Sequence, residues 1–500
     1  MAKTCLCLTG KTIAQNLNAL EHYRNRIDMC ELRVDFLEAQ EQFLIRSFPE
    51  KAGMPVILTV RRRTDGGRFD SGEGVRLVIL AKGLAYADVE RRKNFAYVDI
   101  EHDLHIQAIE EAARTFGTRI IRSIHCLNGL PANLPAVWDD LSSRQGEIPK
   151  LSVQTKGIGD AETLFRFFSA RPHEEERIIT GMGDYGFCTR ILSDWMGSAI
   201  RYHSAAKAGF EPAAPGQLDP FTMAEVYRGS EPKPGWYLYG LLGGPAVIGS
   251  LSPGLHNAGF SRIGLPSLYL PFPADDLDAF LRLAELLPLK GFSVTVPMKE
   301  RILARLAERS PEVDEIGACN TAVRTAIGWS GYNTDAVGFR KSVLEFMGTS
   351  SLRGVKACII GAGGAARAVA YALHELGAKA CVINRNMSKA KRLAEHYAMP
   401  WAGMAEKAVD LLERHNELIV QTTSVGMEGG PPGDPIDWYE FTGSEALFET
   451  IYNPAETPLL KRAREAGCKA TNGLGMLHAQ AAAQFRLFTG MEYPAASSQS

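Results

Sequence analysis

The sequence predicts an α/β protein: an N-terminal (β/α)8 barrel followed by two further α/β blocks, the last opening as a Rossmann-type fold. Three observations carry this. Eight short β-like runs alternate with helix-compatible segments over about the first 220 residues. A Pro/Gly-dense stretch, from Ala213-Ala214-Pro215-Gly216-Gln217 to Glu231-Pro232-Lys233-Pro234-Gly235, closes that region. A glycine-rich turn, Gly361-Ala362-Gly363-Gly364-Ala365-Ala366, follows the apolar run 355–360.

The eight runs fall at 4–8, 29–35, 55–61, 95–101, 119–125, 149–153, 177–181 and 197–202. Several are continuously apolar, as parallel strands buried on both faces should be. Helix-compatible segments such as 104–116 and 161–169 lie between them. Eight strand–helix units favour a closed barrel over an open doubly wound sheet, the alternative. The boundary is expected near residue 230, with a new strand at 236–242 and a second block running to about 340. A third block opens with the strand 356–360, and the chain finishes in a helix at 475–488 and a Pro/Ser tail. The expected domains are 1–225, then 236–340 completed by the C-terminal helix 475–490, and 341–474.

A chain of 500 residues exceeds what one hydrophobic core usually serves. Apolar residues at 45% and charged residues at 22% are ordinary for a soluble globular protein. The net charge of −2 points away from nucleic acid or an anionic membrane as a partner, while leaving local arginines free to hold a small anion. The nine cysteines form no CxxC pair and no Cys/His cluster, so neither a disulfide framework nor a metal site is expected. The start, MAKTCLCLTG, lacks the apolar core of a signal peptide, and no 18-residue apolar stretch occurs. These features predict reduced thiols in a cytoplasmic protein.

Catalytic groups of such a barrel gather where strands end, and ionisable residues fall there. Glu31, Arg33 and Asp35 lie in and after the second run, and Arg61 ends the third, followed by Asp65-Gly66-Gly67. Glu101 ends the fourth run and His125 the fifth, Lys150 opens the sixth, Arg190 follows the seventh and Gln217 the eighth. Lys150 is the sharpest candidate. On a dry inner face burial disfavours its ammonium, leaving an amine able to attack a ketone. The plainer reading is a lysine snorkelling from the strand end. His125, on the neighbouring strand, offers an imidazole able to move protons beside a Schiff base.

Glu31-Leu32-Arg33-Val34-Asp35, Thr59-Val60-Arg61 with Asp65-Gly66-Gly67, Ser123-Ile124-His125, Ile148-Pro149-Lys150 and Ala214-Pro215-Gly216-Gln217 occur in order over about residues 1–220. In this the chain resembles type I 3-dehydroquinate dehydratase. The resemblance implies Schiff-base dehydration of 3-dehydroquinate to 3-dehydroshikimate. Lys150 would form the imine, and His125 would help form and hydrolyse it and take the α-proton. Glu31, Arg33, Arg61, Asp65, Arg190 and Gln217 would hold the substrate's hydroxyls and carboxylate, for which a fork-shaped guanidinium is suited. Two departures bear on substrate positioning: Asp65 stands where the family usually has Glu, and Ala213 where it often has Ser.

In the back half, the turn after 355–360 is a G-x-G-x-x-A signature at Gly361, Gly363 and Ala366. It permits a tight turn, close approach of a pyrophosphate and close helix–strand packing, with a helix N-terminus facing the anion. The next strand, 380–383, ends in Asn384-Arg385, where an NAD-specific site usually carries an acid. Arg385, with Lys389, would instead attract a 2′-phosphate, so NADP(H) is the expected cofactor. Upstream, Ser250-Leu251-Ser252-Pro253 offers two hydroxyls, and Lys299 with Asp335 offers a proton donor and a partner that orients it. A surface ion pair, or no contact at all, is the bland alternative for that pair.

Ser250-x-Ser252-Pro253-x-x-His256-Asn257, Val294-Thr295-Val296-Pro297-x-Lys299, Gly317-Ala318-x-Asn320-Thr321, Gly331-x-Asn333-Thr334-Asp335, the Gly361 turn, Asn384-Arg385, Tyr452-Asn453-Pro454 and Gly475-Met476-Leu477 through Gln480 resemble shikimate dehydrogenase over about residues 237–490. The resemblance implies a two-domain shikimate dehydrogenase-like unit with a Rossmann NADP domain, reducing 3-dehydroshikimate to shikimate. It assigns the substrate carboxylate to Ser250 and Ser252, proton transfer to Lys299 and Asp335, and the rest of the substrate site to Thr295, Asn320, Tyr452 and Gln480. Gly361, Ala362, Gly363, Gly364, Ala365, Asn384, Arg385, Lys389 and Gly475 fall on the NADP side. Glu449 and Gln421 depart from the family's usual Asp and Asn. The first family's product is the second's substrate, which makes a bifunctional enzyme the expected reading. A preference for quinate and a metabolite sensor without turnover are the alternatives; the intact Lys150/His125 and Lys299/Asp335 pairs argue against the sensor.

Overall fold

The computed structural model describes residues 1–85, 88–172, 175–404 and 408–495. The chain forms two compact units. Met1–Leu238, Val247–Asn257 and Pro266–Pro288 make the first; Tyr239–Ala246, Ala258–Leu265 and Leu289–Ser500 make the second.

The first unit contains eight parallel strands: β1 (Lys3–Leu8), β2 (Met29–Arg33), β3 (Val56–Thr59), β4 (Tyr97–Glu101), β5 (Arg119–Cys126), β6 (Ile148–Gln154), β7 (Ile178–Met182) and β8 (Ile200–Ser204). Their order is β7-β6-β5-β4-β3-β2-β1-β8. The ring nearly closes through one parallel bridge, Arg177 to Ser198, where Ala199 N donates to Arg177 O at 2.7 Å. Each strand overlaps its predicted run, and the (β/α)8 architecture is the expected one.

Residues along each strand alternate between two faces. Leu6, Leu8, Cys30, Leu32, Val56, Leu58, Val98 and Ile100 pack outward with residues of the surrounding helices, such as Leu20, Leu80 and Ile109. Cys5, Met29, Ile57, Tyr97, Ile121, Ile148, Ile178 and Ile200 fill an inner layer. Both faces are dry, which is why the runs read as continuous apolar stretches.

The compact units do not part at a single join near residue 230. Strand β10 (Ser267–Pro273) and the helix Leu277–Leu286 belong to the first unit. That helix packs along the barrel helix Ile158–Ser169. The Asp275 carboxylate accepts from Ile158 N at 3.1 Å, Asn257 Nδ2 donates to Val226 O at 2.8 Å, and Arg228 Nη1 donates to Ser267 O at 3.2 Å. Such long-range contacts leave no local mark in composition.

In the second unit β11 (Leu289–Val294) runs antiparallel to β13 (Thr321–Thr325), β13 antiparallel to β14 (Gly328–Tyr332), and β14 parallel to β12 (Glu308–Arg309). The helix Leu474–Thr489 returns to this block and packs on the helix Thr334–Met347. Ser293 Oγ donates to Gln484 Oε1 at 2.9 Å, Gln484 Nε2 to Thr321 Oγ1 at 3.1 Å, and the Tyr239 hydroxyl, at the end of β9 (Tyr237–Gly243) nearer its start, to Phe488 O at 3.0 Å.

The remaining strands, β15 (Lys356–Ile360), β16 (Lys379–Asn384), β17 (Trp401–Gly403), β18 (Leu418–Gln421), β19 (Ala446–Glu449) and β20 (Lys469–Thr471), pair in parallel in the order β17-β16-β15-β18-β19-β20. Counted from β15 this is the 3-2-1-4-5-6 order of a Rossmann sheet, whose crevice lies where the order reverses. Ala357 and Ile359 face one apolar cluster, Cys358 and Ile360 the other. Among the described residues no helix is long and apolar enough to cross a membrane.

Candidate active sites

Two residues beyond the inner apolar layer of the barrel, the same strand faces turn polar. They carry Cys7, Glu31, Thr59, Asp99, Ser123, Lys150, Thr180 and Tyr202, as the two-residue repeat of a strand requires. Above them opens a cavity of about 320 Å³. Glu31, Arg33, Arg61, Asp65, His125, Lys150, Arg190 and Gln217 all line it, so eight positions scattered over the sequence meet at one place.

Register sets Lys150 opposite Ser123 on one side and Ile178 on the other. Its Nζ donates to Asp99 Oδ2 at 2.7 Å and stands 4.3 Å from the centre of the Tyr202 ring. Asp99 is thus an ion-pair partner of Lys150 inside the barrel, a contact the sequence reading did not name. Asp99 also accepts from Arg61 at 2.7 Å and from Ser123 Oγ at 2.6 Å. Burial opposes its ionisation, but the charges of Arg61 and Lys150 outweigh burial and hold its carboxyl well below the ordinary range. His125 is shifted the other way. Burial, reinforced by the positive charges of Arg61 and Lys150, pushes its imidazole well below the usual value. It is therefore a neutral base at neutral pH, and its Nδ1 is buried without a hydrogen-bond partner.

The arginines differ in what they have left to offer. Arg61 is committed to Asp99 and Glu101, and Glu101 also pairs with Arg76, so Glu101 is part of a buried ion network. Arg33 makes a two-pronged pair with Asp35 at 2.9 and 2.8 Å. Asp65 is held by Arg62 at 2.7 Å. Among the described residues Arg190 has no carboxylate partner: its Nη2 donates to Pro215 O at 2.8 Å and its Nε is buried and unpaired. Burial draws its pKa down to about 10. A carboxylate entering the cavity would supply the missing counter-ion. Gln217 accepts from Ala213 N at 2.9 Å, which fixes the loop after β8.

Elsewhere in the first unit Ser252 begins the helix Ser252–Arg262, and its Oγ lies 3.2 Å from that of Ser250. The two hydroxyls thus share one small region.

In the second unit Lys299 and Asp335 meet: Nζ donates to Oδ2 at 2.5 Å. Asp335 is fixed from behind, because Asn320 Nδ2 donates to its other oxygen at 2.8 Å and Asn333 caps the helix that carries it. Asn320 Nδ2 also reaches Gln480 Oε1 at 3.3 Å, drawing the C-terminal helix to the pair. Thr295 and Tyr452 make no side-chain hydrogen bond to Lys299 or Asp335 among the described residues.

The nucleotide signature lies at the end of β15. Gly361 has φ +122°, a conformation that favours glycine, and a Cβ there would strike Thr422 Oγ1. Gly363 faces open space and precedes the helix Gly364–Glu375, whose Ala366 is fully buried. A Cβ on Gly364 would sit 3.2 Å from Lys299 Cδ, so the lysine stem runs directly past this turn. Arg385 and Lys389 are exposed beyond β16, and Asn384 Nδ2 is turned to Asn386 O at 2.9 Å. Open cations, no acid at the strand end and an open glycine cradle fit a dinucleotide bearing a 2′-phosphate.

Glu449 is fully buried at the end of β19 and accepts from Ile451 N and Thr457 Oγ1, both at 3.1 Å. Burial pushes its pKa up to about 8 from an ordinary 4.5. Between those values the folded state binds more protons than the unfolded chain, so stability falls as pH rises. Glu449→Gln, which mimics the protonated acid, is expected to flatten that fall. Its Tm advantage over the parent should grow from pH 5 to pH 8; equal pH slopes in thermal unfolding would refute the assignment.

The sequence reading passed over Asp99, Tyr202, Ser152 and Gln154. Asp99 shares a strand face with Glu101, so strand parity was the signal available for it.

Four family models match the chain in order. Residues 4–234 match the type I 3-dehydroquinase family, 241–322 the shikimate dehydrogenase substrate binding domain, 344–426 shikimate / quinate 5-dehydrogenase, and 473–497 the shikimate 5′-dehydrogenase C-terminal domain. A bifunctional 3-dehydroquinate dehydratase/shikimate dehydrogenase, chloroplastic, of Arabidopsis thaliana is 28% identical over 489 residues, covering 93% of this chain and 78% of the relative. A shikimate dehydrogenase (NADP(+)) of Caldanaerobacter subterraneus subsp. tengcongensis is 38% identical over 259 residues, 51% of this chain and 91% of the relative. The pentafunctional AROM polypeptide of Malassezia globosa is 31% identical over 520 residues, 98% of this chain and 31% of that polypeptide.

Proposed function

We propose that this chain, which belongs to the shikimate dehydrogenase family in its back half and carries a type I 3-dehydroquinase domain in front, performs two consecutive reactions. 3-Dehydroquinate loses water at the barrel cavity to give 3-dehydroshikimate, and the second unit's Lys299/Asp335 centre reduces that ketone to shikimate with NADPH. The observation that carries the reading is the barrel cavity: an amine, a neutral imidazole and an unpaired arginine converge on it.

In the first reaction Lys150 passes a proton to His125 and its free amine adds to the ring ketone; His125 returns that proton to the carbinolamine hydroxyl, which leaves as water to give the protonated imine. His125 removes the α-proton, the imine takes up the electron pair, and the β-hydroxyl leaves with a proton as water. Hydrolysis of the imine restores Lys150. Arg190 receives the substrate carboxylate, while Glu31, Arg33, Asp65 and Gln217 border its hydroxyls.

For the second reaction Ser250 and Ser252 are assigned to the carboxylate, and Thr295, Asn320, Tyr452 and Gln480 to the rest of the substrate. NADPH, when bound, supplies the hydride. Lys299 gives a proton to the carbonyl oxygen, and Asp335 holds the ammonium in place for it. Gly361, Ala362, Gly363, Gly364, Ala365 and Gly475 are assigned to the nucleotide, with Asn384, Arg385 and Lys389 at its 2′-phosphate. The proposed domains are 1–225, 236–340 with 475–490, and 341–474. A cytoplasmic setting is part of the proposal, supported by nine unpaired cysteines.

Supplied with 3-dehydroquinate and NADPH, the purified chain is expected to form shikimate. Failure to consume either substrate would leave the metabolite-sensing alternative, and a higher kcat/KM for quinate than for shikimate would displace the substrate assignment. Arg385→Gln is expected to raise KM for NADP about tenfold while sparing NAD, because a charge-assisted contact to the extra phosphate is lost. Equal effects on both nucleotides, measured by steady-state kinetics, would remove Arg385 from that role.

A further inference from the structure

Tyr202 lies on the inner face of β8, two residues beyond Ile200 of the apolar layer. It lines the barrel cavity and is 7% exposed. Its hydroxyl is buried and has no hydrogen-bond partner among the described residues. Its neighbours in this layer are satisfied. Glu31 accepts from Cys7 Sγ at 3.0 Å and from Thr59 Oγ1 at 2.8 Å, and Asp99 accepts from Lys150, Arg61 and Ser123. An unpaired buried hydroxyl costs stability, and proteins rarely carry one without a use.

The ring alone does not explain the residue. It lies beneath the Lys150 ammonium at 4.3 Å, but a phenylalanine face would serve that cation–π contact as well. The hydroxyl also cannot serve as a base: burial, with the nearby Glu31 carboxylate adding to it, pushes its pKa well above the usual value, so it stays a protonated donor. A donor with nothing to donate to, bordering a cavity that holds the reactive amine, is placed for an acceptor that arrives with the substrate.

We propose that the Tyr202 hydroxyl is a substrate-binding donor of the dehydratase site, completing its hydrogen bond on an oxygen of the polyhydroxylated cyclic ketone held over Lys150. This rests on the reading of the barrel as a dehydratase and adds a specificity contact to it. A site that spends a buried donor on a substrate oxygen discriminates against analogues lacking that oxygen, because the donor is then left unpaired.

The test is Tyr202→Phe in the full chain, which removes the hydroxyl and keeps the ring. KM for 3-dehydroquinate is expected to rise about tenfold with kcat changed less than about threefold, as loss of a ground-state contact predicts. Tm should be unchanged or higher, since an unsatisfied buried group is gone. NADP-linked oxidation of shikimate should be unaffected. Borohydride in the presence of 3-dehydroquinate should still trap an adduct on Lys150. A variant with the parent's KM and kcat, whatever its Tm, overturns the proposal, as does a fall confined to kcat. If the parent itself yields neither dehydration nor a trapped adduct, the underlying dehydratase reading fails, and that outcome is distinct from a silent Tyr202→Phe.

Discussion

Lys150→Met is expected to lower dehydration of 3-dehydroquinate by roughly 10⁴-fold or more, the scale seen when an enzyme loses the residue that bonds to its substrate. Among the described residues no other amine lines the cavity to replace it. The variant should fold. Asp99 loses one partner but keeps Arg61 at 2.7 Å and Ser123 at 2.6 Å, so its charge is not stranded. The second catalytic centre supplies an internal control: NADP-linked shikimate oxidation by the same preparation should match the parent. Borohydride with 3-dehydroquinate should label the parent on Lys150, as peptide mapping would show, and leave the variant unlabelled. Retention of a tenth of the parent's dehydratase activity, or an adduct on another residue, would sink the imine assignment.

The reciprocal experiment is Lys299→Met. Loss of the proton donor should cut kcat for reduction of 3-dehydroshikimate by about 10²- to 10⁴-fold, the usual worth of a positioned general acid. Dehydratase activity should persist. Asp335→Asn should be milder, because an amide oxygen can still accept from Lys299 while the charge that orients the ammonium is gone. KM for NADP should move little in either variant. A Lys299→Met enzyme with the parent's kcat would return the pair to a structural ion pair.

Much of this was legible because parallel strands advertise themselves. Ala357-Cys358-Ile359-Ile360 is apolar on every residue since both of its faces are covered. The glycine turn after it was equally plain, because only a few residue types permit its backbone. Asp99 was hidden for a different reason: its importance lies in Lys150, fifty-one positions away, and only the closure of β4, β5 and β6 brings the two together. Asn320 was named for the substrate, but its tie between Asp335 and the C-terminal helix lay outside any local pattern. Glu101 misled in the opposite sense. It stood at a strand end, yet Arg61 and Arg76 pair with it in a buried ion network and it does not line the cavity. The parting of the compact units was illegible because it depends on which surface the helix Leu277–Leu286 meets.

The return of the helix Leu474–Thr489 to the block begun by β9 sets a timetable on the ribosome. The barrel's eighth strand ends at Ser204 and its strands pair only with one another, so this catalyst is spelled out early in synthesis. The sheet of β11 and β13 must wait for Gln484 and Phe488 of the helix Leu474–Thr489. At about 5–20 residues per second that delay lasts tens of seconds. During it, a nascent chain holds a finished barrel and an unfinished sheet, and a chain cut short before the helix Leu474–Thr489 would carry a dehydratase without its reductase.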